Sequence, residues 1–306
     1  GDEATPPSWR PDVQGSADLV EEIARVASLS RLEGKPLPRI RPGVPQPILT
    51  DAQRRERAAR RTLAALGYNE CVTYSFIDQK AATLFGGGSD AVRVDNPISS
   101  EMSHLRPDLL PGLLRAAARN QARGFADMAL AEVGPVFHGG EPGEQQLQAT
   151  GLLVGATAPR DPFGSRRPVD LYDAKADAEA VLAALGTPAR VQFHPGRAGV
   201  VALGPNMLAV YGEVHPGILA EMDVKGPAMA FTIFPANVPQ PRSKTTTRPA
   251  LNVSDLQAVE RDFAFVVDVH VEALTALNAA QGADKELIER VTLFDQFTGE
   301  KAEAQM

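Results

Sequence analysis

Apolar residues recur with helical spacing in five stretches of the chain. Leu19 and Ile23 stand one helical turn apart after Ser16, a residue type that commonly caps helices. Thr50 precedes Gln53 by three residues, the spacing of a capping box, and so predicts the start of a second helix. The same criteria predict helices over residues 16–27, 50–66, 111–124, 174–185 and 272–281.

Other apolar stretches are short and either alternate or run continuously, which is typical of strands. Val72, Tyr74 and Phe76 alternate with small or polar neighbours and predict a half-buried strand. The predicted strands cover residues 71–76, 128–133, 151–154, 191–193, 200–203, 207–214, 229–234, 263–267 and 291–297. Because most of these strands follow one another with few helices between them, the sequence predicts an α+β fold with a largely antiparallel sheet.

Two proline-rich stretches divide the chain. Residues 34–47 hold five prolines and residues 235–252 hold four, and proline disfavours both helix and sheet. Linkers at these places predict the end of a preceding helical domain over 1–40, a central domain over 41–240 and a last domain over 241–306. The last domain holds a single β-α-β unit, which buries too little to stand alone. We therefore expect a C-terminal remainder, and the abrupt start of the chain predicts a preceding part in the same way.

Composition limits the class of protein. The chain has 306 residues, of which 31 are Lys or Arg and 38 are Asp or Glu, for a formal net charge of −7. This acidic balance disfavours nucleic-acid binding through overall charge, although local basic stripes could still contact phosphates. The single cysteine excludes a disulfide framework, and the sequence lacks the roughly 18 consecutive apolar residues of a membrane span. We expect a cytoplasmic protein without a membrane partner.

The usual local signatures of catalysis are absent from the sequence. No HExxH zinc motif, GxxxxGK[ST] phosphate loop, GxGxxG fingerprint or GxSxG elbow occurs. Cys71 lies in a predicted alternating strand, which favours a packed residue over a nucleophile. His194 and Arg197 follow a strand and could hold an anion, although a turn that leaves the strand explains them equally well.

Four acidic residues form a candidate metal site near the N-terminus. Asp18, Glu21 and Glu22 share one side of the first predicted helix, and Asp12 could fold back over it. Converging carboxylates need a counter-charge, which a hard cation such as Mg²⁺ would supply. Acidic residues near a helix N-terminus can equally answer the positive end of the helix dipole on a solvated surface.

Arginines crowd two of the predicted helices. They could pair with phosphates or with the carboxylates of a partner protein, but a solvated helix surface is the simpler interpretation. The residues concerned are Arg54, Arg55, Arg57, Arg60 and Arg61 on the second helix, and Arg115, Arg119 and Arg123 on the third.

Taken in order, ten segments resemble one protein family, the beta chain of bacterial phenylalanyl-tRNA synthetase. No single segment decides the resemblance, but their number and order are specific, and they span nearly the whole chain. The segments are PSWRPD at 7–12, DLVEEIAR at 18–25, GYNECVTYSF at 67–76, NPIS at 96–99, LRPDLLPGLL at 105–114, EVGPVF at 132–137, HPGR at 194–197, GEVHP at 212–216, RDFAFVVD at 261–268 and LFD at 293–295.

The resemblance implies a fold and an assembly. It implies a class II synthetase-like antiparallel sheet with helices, an N-terminal helical segment and a truncated ferredoxin-like β-α-β unit at the C-terminal end. It also implies an α₂β₂ ligase that joins phenylalanine to tRNA(Phe), with ATP bound at the active site of the alpha subunit. The FRxE and GxGxER patterns that hold the ATP phosphates in class II enzymes do not occur here. We therefore expect no catalytic and no cofactor-binding residue in this chain.

The resemblance also changes the interpretation of the acidic residues. The family carries a Mg²⁺ site, shared with the alpha subunit, on an Asp-x5-Asp-x2-Glu-Glu pattern. Asp12, Asp18, Glu21 and Glu22 reproduce that spacing and become the expected metal ligands. The family's tRNA-binding module and its editing domain should precede Gly1.

The sequence thus predicts a non-catalytic portion of the beta subunit of an aminoacyl-tRNA ligase. It would support aminoacylation through assembly with the alpha subunit and through tRNA binding. A free-standing interaction or tRNA-binding protein derived from the synthetase fold is the first alternative. An active ligase that binds ATP through substitute groups is the second.

Overall fold

The computed structural model describes residues 3–38, 48–158, 161–187, 191–193, 197–240, 250 and 257–297. The chain divides into two compact units, Gly1–Arg242 and Ser243–Met306, which we describe separately. His194 and most of the two predicted linkers, at 39–47, 241–249 and 251–252, lie outside the described residues.

Seven α-helices occur in the described part of the chain, and local sequence accounts for several of their ends. Thr50 caps the second helix and shares a capping box with Gln53, as the sequence predicted. Asp170 caps the fifth by accepting from the amides of Tyr172 and Asp173, so this helix starts earlier than predicted. The helices are α1 (Ser16–Ala27), α2 (Asp51–Ala65), α3 (Gln79–Leu84), α4 (Leu110–Gln121), α5 (Leu171–Ala184), α6 (Pro216–Glu221) and α7 (Ala273–Gly282).

A seven-stranded sheet organises the first unit, in the order β1-β4-β5-β9-β8-β7-β6. Every neighbouring pair is antiparallel except β1 and β4, which are parallel. The remaining strands, β2 and β3, form a small antiparallel pair. The strands are β1 (Asn69–Glu70), β2 (Phe76–Ile77), β3 (His104–Leu105), β4 (Met128–Phe137), β5 (Gln145–Val154), β6 (Val191–Phe193), β7 (Ala198–Leu203), β8 (Asn206–Glu213) and β9 (Ala228–Ile233). The predicted mixed α+β fold is therefore confirmed.

Both faces of this sheet are covered by helices. Helices α2 and α5 pack on one face, where Tyr68 meets Phe231 edge-on with ring centroids 6.0 Å apart. The Tyr68 hydroxyl donates to the Asp177 carboxylate on α5 at 2.6 Å. This hydrogen bond joins the chain just after α2 to α5. Helix α4 covers part of the opposite face through Leu113 and Leu114. Burial of these apolar faces holds the first unit together.

Several details differ from the sequence predictions. The sequence pattern does not predict the short helices α3 and α6 or the first half of β5. That half of β5 is rich in glutamine, which is not typical of a strand. The segment 71–76 forms a regular strand only at its last residue. Its apolar row is exposed, Val72 by 90% and Tyr74 by 72%, so the predicted burial of that row is wrong. The stretch 235–240, predicted as linker, packs against the first unit through the buried Val238.

The second unit contains one helix, α7, among its described residues. The predicted strands at 263–267 and 291–297 have neither strand nor helix structure. None of the described residues from 257 to 297 is buried. In the part of the chain that the structure describes, no helix is both long and apolar enough to cross a membrane.

The close packing of β5 against β9 generates a stability prediction. A Cβ atom at Gly151 would lie 2.5 Å from the Phe231 ring and 3.1 Å from that of Tyr68. We expect Gly151→Ala to lower the free energy of unfolding by about 1–3 kcal/mol, the usual cost of overpacking. Gly143→Ala is the matched control, because a Cβ there meets nothing within 4 Å. Urea denaturation of both variants measures the difference, and equal midpoints would contradict the prediction.

Candidate functional site

A row of buried polar residues crosses the centre of the large sheet. The strand register places Glu132 of β4 opposite Thr150 of β5, and Thr150 opposite Thr232 of β9. All three are buried, and the hydroxyls of Thr150 and Thr232 lie 3.0 Å apart. Burial of polar groups costs free energy unless they are hydrogen-bonded, so this row is a candidate functional site.

Arg106 is the cation of this site, and it is only 3% exposed. Its Nη1 atom donates to Glu132 at 2.7 Å, and its Nε atom donates to the Pro135 carbonyl at 2.9 Å. Glu132 also accepts from the Thr73 hydroxyl at 2.7 Å. Within the described residues Arg106 is the one buried arginine, and its charge is neutralised inside the chain.

Two glycines make room for this network, which we call the Arg106–Glu132 network. A Cβ at Gly134 would lie 2.8 Å from Nη2 of Arg106, and one at Gly112 would overlap the Thr73 hydroxyl. Gly112 is part of helix α4, which brings that helix close to the segment 71–76. The glycines therefore set where Arg106 and Thr73 can lie.

The network explains why the segment 71–76 faces the opposite way from the prediction. Thr73 must point inward to reach Glu132, and its backbone amide donates to the same carboxylate at 3.3 Å. Alternation then directs Val72 and Tyr74 outward, where both are exposed. Sequence reasoning missed the roles of Arg106 and Thr73, because the contacts join residues far apart in the chain.

The arginines of α2 and α4 separate into two groups. The first group makes contacts within the chain: Arg54 with Asp51, Arg55 with the carbonyls of Pro235 and Pro239, Arg60 with Glu56 and Glu70, and Arg115 with Asp78. The second group has no hydrogen-bond or ion-pair partner among the described residues and is exposed: Arg57, Arg61, Arg119 and Arg123. This second group can meet a phosphate or a partner's carboxylates without first breaking a contact within the chain.

Three of the four predicted metal ligands already accept hydrogen bonds from arginine side chains or backbone amides. Arg10 donates to Asp12 and, at 2.8 Å, to Glu22, which Arg25 also contacts at 2.7 Å. Hydrogen bonds from Arg10 and Arg25 hold the pKa of Glu22 down to about 2. Asp18 accepts from the backbone amides of Gln14 and Gly15, which lowers its pKa.

Glu21 is exposed and makes no such contact, so the four carboxylates are not gathered around one point. In the ranges that the structure describes, no three His, Cys, Asp or Glu side chains form a group that could hold a metal ion. As arranged, the cation between Asp12 and Glu22 is the guanidinium of Arg10, and these residues do not fit a bound Mg²⁺ without a rearrangement.

The remaining candidate residues offer little chemistry. His104 is buried beside the Ser103 hydroxyl, and His215 accepts from the Gly217 amide at the start of α6. Cys71 is half-buried, and that burial raises the pKa of its thiol, which disfavours the reactive thiolate.

Three family models match the chain in order. They are described as the tRNA synthetase B5 domain over residues 2–28, the phenylalanyl tRNA synthetase beta chain CLM domain over 37–234 and the ferredoxin-fold anticodon binding domain over 254–306. The second covers more than half of the chain. This chain belongs to the phenylalanyl-tRNA synthetase beta-chain family.

Curated relatives carry the same family name over a longer chain. The chain is 79% identical to the phenylalanine–tRNA ligase beta subunit of Cereibacter sphaeroides, over 100% of this chain and 39% of that one. It is 67% identical to the same subunit of Ruegeria pomeroyi, over 98% and 39% of the two chains. The chain thus spans about two-fifths of the length of these relatives.

One solved synthetase shows a weaker likeness. The pyrrolysyl-tRNA synthetase of Desulfitobacterium hafniense aligns with a TM-score of 0.47 at 16% identity, over 60% of this chain and 66% of that chain. A likeness at this level carries no information about the site.

The Arg106–Glu132 network generates a second stability prediction. Arg106→Gln leaves Glu132 buried without its cation and should lower the free energy of unfolding by about 3–5 kcal/mol. The exposed pair Arg93 and Asp90 provides the control, since Arg93→Gln should cost less than about 1 kcal/mol. The double variant Arg106→Met with Glu132→Leu should recover most of the loss. Denaturation curves measure all three, and a double variant no more stable than Arg106→Gln would contradict the prediction.

The contacts of Arg10 generate a prediction about the metal. If Arg10 occupies the place of a cation between Asp12 and Glu22, the isolated chain should bind Mg²⁺ weakly, and Arg10→Gln should bind it more tightly. Arg31→Gln, which removes an exposed arginine of the same region, is the control. Isothermal titration calorimetry with Mg²⁺ measures the effect. Equal affinity in the wild-type chain and Arg10→Gln would show that Arg10 does not compete with the metal.

Proposed function

We propose that this chain is a non-catalytic portion of a phenylalanine–tRNA ligase beta subunit. In this role it supports the ATP-dependent attachment of phenylalanine to tRNA(Phe) in the cytoplasm, through assembly with the alpha subunit and through tRNA binding. ATP would bind in the alpha subunit. The domains that we propose are the end of a helical domain over 1–40, an inactive class II synthetase-like domain over 41–240 and the first part of an anticodon-binding domain over 241–306.

The Arg106–Glu132 network is the observation that carries this proposal. Transfer of an aminoacyl group through an adenylate needs cationic groups aimed at phosphate oxygens. Arg106 lies at the polar row of the sheet, where its Nε atom donates to the Pro135 carbonyl and its Nη1 atom donates to Glu132 and Thr73. The charge of this guanidinium is already balanced by a buried carboxylate, which would also repel the oxygens of a triphosphate.

The exposed row on the segment 71–76 supports the assembly with a partner subunit. Val72 and Tyr74 present apolar side chains to solvent next to Phe76, which is 42% exposed. The Arg106–Glu132 network fixes this orientation, so the row cannot turn inward. Contiguous exposed apolar side chains on a rigid edge are typical of an interface. We infer that the alpha subunit covers this row.

The proposed Mg²⁺ site and the proposed tRNA contact rest on different observations. The Mg²⁺ site on Asp12, Asp18, Glu21 and Glu22, shared with the alpha subunit, stays a prediction. No step of the proposed function depends on it. The tRNA contact is inferred from the match to the anticodon-binding family model, and the four free arginines of α2 and α4 are candidates for further phosphate contacts. No observation favours the free-standing alternative.

Co-purification with the alpha subunit tests the proposal. Val72→Asp with Tyr74→Asp places two charges on the exposed row and should reduce recovery of the complex at least tenfold, which corresponds to about 1.4 kcal/mol. Phe163→Asp is the matched control, because Phe163 is 99% exposed on the loop between β5 and α5 of the same unit. Recovery of the double variant at the wild-type level would contradict the proposed interface.

A separate measurement addresses the absence of catalysis. Calorimetric titration of the isolated chain with ATP should give no binding isotherm. ATP binding that is lost in Arg106→Gln would support the active-ligase alternative and overturn the proposed function, whatever the result of the co-purification.

A further inference from the structure

A stripe of unpaired cations follows the outer side of helix α4. Arg119 and Arg123 stand one turn apart, are exposed, and have no hydrogen-bond or ion-pair partner among the described residues. Gln121 brings a third cation to the end of the helix, because its side-chain amide exchanges two hydrogen bonds of 2.8 Å with the backbone of Lys225. Lys225 is also exposed. We call Arg119, Arg123 and Lys225 the α4 basic stripe.

Acidic residues of the chain do not neutralise this stripe. Helix α4 and the five residues after it hold three arginines and no Asp or Glu. Of the acidic residues that are close in the chain to either end of the stripe, Asp127 is paired with Arg166 and Glu221 with Lys80. Asp223 is exposed and has no ion-pair partner in the part of the chain that the structure describes, so it offsets one of the three charges. The stripe keeps a net positive charge.

Packing places the α4 basic stripe beside the exposed row that we assign to the alpha subunit. Gly112 of α4 lies so close to Thr73 that a Cβ there would overlap the hydroxyl. Cys71 packs against the same apolar cluster as Ala117 of α4. Burial raises the pKa of the Cys71 thiol, whereas the charge of Arg119 lowers it, so this guanidinium lies near the start of the row.

We propose that the α4 basic stripe pairs with carboxylates of the alpha subunit and forms a charged rim around the exposed row. This inference rests on the proposed function, in which the alpha subunit covers that row. An apolar centre with a polar rim is the usual anatomy of a protein interface, and tyrosine and arginine are enriched there.

The spacing of the stripe indicates what the alpha subunit presents. Arg119 and Arg123 are four positions apart, which corresponds to about 6 Å along a helix axis. Two acidic residues one turn apart on a partner helix have the same spacing. Each guanidinium could then form a charge-assisted hydrogen bond with one carboxylate.

The composition of the surface favours a protein partner over a nucleic acid. Single-stranded nucleic acids stack their bases on aromatic rings, but Val72, the most exposed member of the row at 90%, has no ring. Its apolar surface is complementary to apolar side chains of a protein. The net charge of −7 also opposes a polyanion, because repulsion grows with the charge of the partner.

Association kinetics of this chain with the alpha subunit test the proposal. Arg119→Glu with Arg123→Glu should slow association about tenfold at low salt, because charges at a rim act mainly on the association rate. The difference should shrink as NaCl is added, since salt screens the attraction. Arg57→Glu with Arg61→Glu is the matched control: it makes the same change of charge at the same spacing on α2, on the opposite face of the sheet. This control should associate at close to the wild-type rate.

A second variant separates charge from folding. Arg119→Gln with Arg123→Gln removes the charges without reversing them, and should slow association less than the glutamate variant does. Both variants should melt at the wild-type temperature by circular dichroism, because these side chains make no contact within the described residues.

The other outcomes distinguish this inference from the proposed function. If Arg119→Glu with Arg123→Glu associates at the wild-type rate at every salt concentration, the inference is wrong. The proposed function would still stand if Val72→Asp with Tyr74→Asp prevents assembly. Equal slowing by the α2 control also overturns the inference. Unchanged association with loss of tRNA(Phe) binding would assign the stripe to nucleic acid instead. If the wild-type chain does not associate with the alpha subunit, the proposed function fails and the inference fails with it.

Discussion

A buried ion pair determines which side chains of the segment 71–76 in the first unit point inward. Arg106 and Glu132 meet at 2.7 Å with almost no exposure, and removal of either partner would leave the other charged and desolvated. The pair fixes the inward direction of Thr73, which in turn directs Val72 and Tyr74 outward. One electrostatic constraint in the centre of the sheet thus decides which side chains of the segment 71–76 are exposed to solvent.

The two units show opposite balances between burial and exposure. In the first, helices on both faces of the sheet enclose two apolar cores. In the second, helix α7 and the other described residues from 257 to 297 leave every apolar side chain at least partly in water. The physical difference is the number of layers, because a sheet or helix needs a second layer before it can bury a face. Family models match both units, and among the described residues the apolar cores lie in the first.

Local physical chemistry accounts for what could be predicted from the sequence. The capping box of Thr50 and Gln53 involves residues three apart, so the start of α2 followed directly from the sequence. Strand β5 was underestimated because Gln145, Gln146 and Gln148 resemble a loop, although the register with β4 continues through them. The contacts of Arg106, Thr73 and Glu132 join residues 26 to 59 positions apart, and no local pattern reveals such a pairing. The order of the motifs along the chain is enough to indicate the family. The spacing of Asp12, Asp18, Glu21 and Glu22 does not indicate that Arg10 contacts both Asp12 and Glu22.

The two glycines beside the Arg106–Glu132 network limit how this domain can drift in sequence. A methyl group at position 134 would displace the guanidinium, and one at position 112 would displace the hydroxyl of Thr73. Larger residues at these positions become acceptable only after the polar groups have been replaced, and the polar groups can return only while both positions are still glycine. The five residues Thr73, Arg106, Gly112, Glu132 and Gly134 therefore depend on one another. Homologues should have kept all five or replaced all five, and few should carry a mixture.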